Sequence, residues 1–87
     1  MLQIEKRKTG TEFRKYGDIF TPIEHNEELN TWLYKRTPYR EGGRVSYEVV
    51  KGDTYPSSEK FRFGRAVYTP IYEKAKKYLN NGVQRLV

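Results

Sequence analysis

Apolar and polar residues alternate in several stretches of this 87-residue chain and recur at helical spacing in one. Leu2-Gln3-Ile4-Glu5-Lys6 predicts a first strand, with Thr9-Gly10 as its turn. Between Thr11 and Phe20 the period is mixed. Gly17-Asp18 breaks that segment, leaving extended structure near Phe13 and again at Ile19-Phe20. Thr21-Pro22 opens an acidic connection through Asn30 with room for one helical turn. Thr31 to Arg36 is rich in β formers and reads as a strand. Pro38 ends it, because proline cannot donate to a ladder.

Tyr39 to Gly43 then forms a hairpin loop, and Arg44 to Lys51 is the clearest strand. Val45, Tyr47 and Val49 share one of its faces, with Ser46, Glu48 and Val50 on the other. After Gly52-Asp53 a loop leads through Tyr55-Pro56, with Ser57 or Ser58 capping a helical turn. A further strand runs from Phe63 to Tyr68. Thr69 as N-cap and Pro70 as first helical residue predict a terminal helix. Its buried stripe is Ile71, Ala75, Tyr78 and Leu79, and Asn80-Asn81-Gly82 stops it. Residues 83–87 are a short tail or a final edge strand. The expected architecture is α+β: one domain spanning residues 1–87, a small antiparallel sheet of 4–5 strands, and one C-terminal helix packed across it.

Composition alters this picture in one respect. Hydrophobic residues are only 36% of the chain and charged residues 32%, a balance that leans toward disorder. The thirteen aromatics (eight Tyr, four Phe, one Trp) reverse that, because each ring buries roughly 150–250 Å². The chain has no cysteine and one histidine, which removes disulfides, thiolate metal sites and any site needing two imidazoles. No apolar run approaches a membrane span, and the N-terminus lacks the apolar core of a signal peptide, so a soluble cytoplasmic protein is the default.

Net charge is +6, unevenly spread. Residues 18–31 hold Asp18, Glu24, Glu27 and Glu28 and no Lys or Arg, so one acidic segment interrupts a basic chain. Excess positive charge favours polyanions. Catalytic chemistry finds little support. Glu24, His25, Glu27 and Glu28 are metal-ligand types, but neighbours on a loop seldom converge on one point, so no metal and no cofactor is expected. Asp18, Glu24, Glu41 and Glu48 show no acid–base pairing. Glu41-Gly42-Gly43-Arg44 is not followed by a helix, as a phosphate loop would be.

Lys60-Phe61-Arg62-Phe63-Gly64-Arg65-Ala66-Val67-Tyr68 interleaves aromatics with arginines, as single-strand binders do. It departs from the RNA-recognition-motif pattern at Arg65 and in lacking a second glycine. The phenylalanines are assigned to the core and the arginines to contact. The candidate binding residues are Arg36, Tyr39, Arg40 and Arg44 from the hairpin, Arg62 and Arg65 from the later strand, and Lys74, Lys76 and Lys77 from the helix.

Four segments carry a family resemblance: Ser46-Tyr47-Glu48-Val49, Tyr55 to Phe61, Gly64 with Ala66 and Tyr68, and Tyr72-Glu73-Lys74-Ala75. Over residues 32–79 the chain resembles small accessory proteins of bacteriophages and prophages. The resemblance brings no catalytic residue. It implies a short accessory protein acting inside an infected bacterium, of a kind that often binds a host nucleoprotein. With the basic residues above, the expected function is a non-enzymatic binding protein for nucleic acid, RNA ahead of DNA, or for a host protein–RNA complex. Anti-CRISPR inhibition of an RNA-guided nuclease is one instance. A small basic ribonuclease or toxin, and a virion assembly factor, are the alternatives.

Overall fold

The computed structural model describes residues 9–52, 56 and 66–82. Among these residues, five strands, β1 (Phe13–Lys15), β2 (Asp18–Asn26), β3 (Thr31–Thr37), β4 (Ser46–Lys51) and β5 (Ala66–Thr69), form one antiparallel sheet in chain order. Helix α1 (Tyr72–Asn81) packs against β2, β3, β4 and β5 and makes no such contact with β1. This is the expected α+β sheet-and-helix arrangement. The strand expected over Leu2–Lys6, the turn at Ser57-Ser58 and the tail from residue 83 lie outside the described residues.

The first hairpin turns on Tyr16 and Gly17, with φ of 55° and 80°. Two successive positive φ values are the signature of the type I′ turn, whose twist matches that of the strands it joins. Glycine takes this conformation freely, whereas a side chain at Tyr16 pays about 1–2 kcal/mol for it.

Strand β2 corrects the expectation of an acidic connection over residues 21–30. It runs on through Pro22 to Asn26 and pairs with β3 along its length. Proline is tolerated because β1 pairs only with Asp18–Phe20, so Pro22 lies past the end of that ladder, and a bulge follows at once between Pro22 and Glu24. The extra residue turns both Ile23 and Glu24 toward the helix. Ile23 packs on the Leu33, Val49, Ala75 and Leu79 cluster, and Glu24 accepts hydrogen bonds from Tyr72 and Lys76. The acidic turn shrinks to Glu27–Asn30, shaped by Asn26, whose side-chain oxygen accepts from the Leu29 amide at 3.1 Å. The Asn26 amide group donates to the Leu79 carbonyl at 3.1 Å, satisfying one of the orphan acceptors near the helix end.

Both faces of the sheet are covered. On the helix side Leu33, Val49, Ala75 and Leu79 are buried. On the other side Phe20, Tyr34, Val50 and Ala66 are buried, with Trp32 partly so. Full burial of such side chains contributes about 1.5–3 kcal/mol each, which is how a chain so rich in charge sustains a fold.

The helix begins later than Thr69-Pro70 predicts. Thr69 is still paired with Tyr47 in the sheet, so its hydroxyl instead accepts from the Ile71 amide at 3.1 Å, and Ile71 occupies the cap position. Ile71 is consequently exposed rather than part of the stripe, which consists of Tyr72, Ala75, Tyr78 and Leu79. Gly82 ends the helix with φ of 92°, its amide donating to the Tyr78 carbonyl at 2.9 Å.

Candidate nucleic-acid interface

Two turns meet at one end of the sheet, and Asp18 joins them. Asp18 is the first residue of β2, directly after the Tyr16-Gly17 turn. One carboxylate oxygen accepts from Arg36 Nε at 2.7 Å and the other from the Tyr39 backbone amide at 3.2 Å. Residues 38–45, which link β3 to β4, are thereby fastened to the base of the first hairpin. The Arg36 bond, then that from Tyr39, hold the Asp18 carboxyl below the usual carboxylate range, and the Arg40 charge acts in the same direction. The loop closes on itself through the Gly43 amide, which donates to the Arg40 carbonyl at 3.3 Å. A β-carbon on Gly43 would stand 2.4 and 2.8 Å from the Pro38 ring carbons, so only glycine fits this backbone path.

Around this joint the side chains are basic and aromatic. The Arg14 guanidinium lies 5.9 Å from the centre of the Tyr39 ring, and the Lys15 ammonium 5.4 Å from that of Tyr16. Lys15 also donates to the Pro56 carbonyl at 3.3 Å. Tyr16 and Tyr39 are 73% and 69% exposed, so neither ring serves the core. Arg14, Arg40 and Arg44 are exposed as well. Glu41 is the one acidic residue of the loop over residues 38–45.

The sequence-derived candidates separate on this geometry. Tyr39, Arg40 and Arg44 lie in the loop. Arg36 sits below it, facing inward between Asp18 and Glu48, whose carboxylate is 3.3 Å away and nearly fully buried. A buried carboxylate requires such a partner, and Arg36 also covers the Phe20 ring at 5.2 Å, so its charge is spent inside the sheet. Arg62 and Arg65 lie outside the described residues. On the helix, Lys74 and Lys77 are exposed, whereas Lys76 is bonded to Glu24. Burial pushes the Glu24 carboxyl up, but the bonds from Lys76 and Tyr72 outweigh it and hold the group below its ordinary range. Those same bonds raise Tyr72 and Lys76.

Helix α1, which carries the lysines, makes no contact with β1 of the first hairpin. Arg14, Lys15 and Tyr16 did not figure among the sequence-derived candidates. Their signal was present: a residue followed by glycine, flanked by short extended segments, is a hairpin tip, and what flanks a tip is displayed.

The grouped metal-ligand types do not assemble. Glu24 faces the helix, while His25 stacks on Trp32 with ring centres 4.0 Å apart and lies 3.1 Å from Asn30 Oδ1. Among the described residues no three His, Cys, Asp or Glu side chains cluster as metal ligands, and no helix is long and apolar enough to cross a membrane. No family model, curated protein or solved structure matches this chain.

Proposed function

We propose that this protein is a binding module that engages the phosphate backbone of nucleic acid with the turn-bearing end of its sheet. One observation carries the reading: the Asp18 joint fastens the loop that holds Arg40 and Arg44 to the hairpin that holds Arg14 and Lys15, with Tyr16 and Tyr39 displayed beside the latter two. Cations held on a fixed frame neutralise phosphates with little loss of side-chain freedom, and release of condensed counterions drives the association. The resemblance to bacteriophage accessory proteins would set this activity in an infected cell, with the nucleic acid offered bare or within a host nucleoprotein such as an RNA-guided nuclease.

The test is the salt dependence of affinity. Each phosphate neutralised on a single strand contributes about −0.7 to the slope of log K against log salt, so four cations give a slope of roughly −3. Arg40→Ala and Arg44→Ala should each flatten the slope by about 0.7. Affinity that is insensitive to salt between about 50 and 200 mM would overturn the proposal.

A further inference from the structure

We infer that the ligand of this end is a single-stranded segment, whose bases stack on Tyr16 and Tyr39 while its phosphates meet the flanking cations. The inference rests on the backbone-binding reading above and adds to it the form of the nucleic acid and the groups that read it.

Three observations point this way. Tyr16 occupies a left-handed position, φ 55°, in a turn that Asn or Gly fills at less cost. Tyr16 is 73% exposed, so it adds almost no burial to the core in return. A bulky side chain kept in a costly conformation without burial is the pattern found where a surface is shaped for contact.

Second, each of the two displayed rings carries a cation, Lys15 at 5.4 Å from Tyr16 and Arg14 at 5.9 Å from Tyr39. A cation beside an aromatic platform places a phosphate partner next to a stacked base, the recurring arrangement of single-strand grooves. Third, both rings have a defined footing: the Tyr39 amide is bonded to Asp18, and Tyr16 sits in the two-residue turn closed by the Lys15–Asp18 pair of β1 and β2. A duplex keeps its bases stacked on one another and leaves these rings without a partner. Tyr68 is also largely exposed, but among the described residues no cation lies over its ring.

The test uses the full chain with three phosphate-bearing probes, an oligouridylate, the same oligouridylate annealed to oligoadenylate, and inorganic polyphosphate of matched charge, and with polyglutamate as a phosphate-free polyanion. The variants are Tyr16→Asn and Tyr39→Leu. Tyr16→Asn suits the turn better than the native residue, so its urea unfolding midpoint should rise, which removes misfolding as an explanation for lost binding.

We expect the single strand to bind more tightly than either the duplex or polyphosphate. Each variant should weaken it about tenfold, leaving the salt slope and polyphosphate binding unchanged. If both variants hold the oligouridylate within about twofold of the native chain while polyphosphate still binds, stacking is disproved and the charge-based reading survives. Failure of all three probes to bind would remove the charge-based reading itself, and stacking with it. Equal binding of polyglutamate and oligouridylate would also overturn the inference and point to an acidic protein partner.

Discussion

Asp18 and Arg36 meet across the β2–β3 pair at 2.7 Å, and the remaining oxygen of Asp18 holds the Tyr39 amide at 3.2 Å. One carboxylate thus fixes a strand pair and the loop beyond it. Because these bonds lower its folded-state pKa, the contribution of Asp18 is present above the unfolded-state value and is lost as pH falls through the folded one. Asp18→Asn should lower the urea midpoint at neutral pH and flatten its fall on the acid side. It should also speed hydrogen exchange at the Tyr39 amide. An acid limb unchanged from the native protein would show that the carboxylate charge plays no part.

Glu24 makes a second, two-sided prediction. Its own pKa is lowered, so its contribution fades as pH falls below the carboxylate range. Tyr72 and Lys76 are raised by the same contact, so theirs is present below their unfolded values and fades as pH climbs through the folded ones, on the alkaline side. Glu24→Gln should therefore blunt the stability profile at both ends. Thermal unfolding across the pH range reads this directly, and a change at one end alone would count against the shared contact.

Leu33 is fully buried against Val49, Ala75 and Leu79. Leu33→Ala should cost about 2–5 kcal/mol in equilibrium urea unfolding, a large share of the stability of so small a domain. Combined with Leu79→Ala the loss should fall short of the sum of the single losses, since the two side chains share one cluster.

Gly43→Ala tests the loop. The added methyl would meet the Pro38 ring, a rigid neighbour, at distances no β-carbon tolerates. The loop must shift, so affinity for nucleic acid should fall although no charge has been removed, while the helix signal in circular dichroism stays at the native level. Unaltered affinity would mean that the course of this loop is irrelevant to binding.

Much of the fold was legible because its signals are local. Alternation marked β4, β formers marked β3, and Asn80-Asn81-Gly82 marked the helix end. Strand β2 was illegible over Thr21–Asn26 because a proline and a bulge break the period of two, and the pairing that admits them lies in β3, a partner that local pattern cannot reveal. The helix start is not legible locally, because Thr69 is a good cap by type, yet sheet pairing to Tyr47 claims its backbone first. At the site, Arg40, Arg44 and Tyr39 could be read from loop composition. The inward roles of Arg36 and Lys76 could not, because they depend on Asp18, Glu48 and Glu24 arriving from distant parts of the chain.

The order of the strands also bears on how the chain assembles. Each strand lies beside its neighbour in sequence, so zippering can proceed from successive hairpins, with little loop-closure entropy to overcome before contacts form. The demanding step is the docking of α1 onto β2, where Asn26 reaches Leu79 across 53 positions of the chain. If that docking follows the rate-limiting barrier, disrupting the Asn26 tether will hasten unfolding and leave the refolding rate almost untouched.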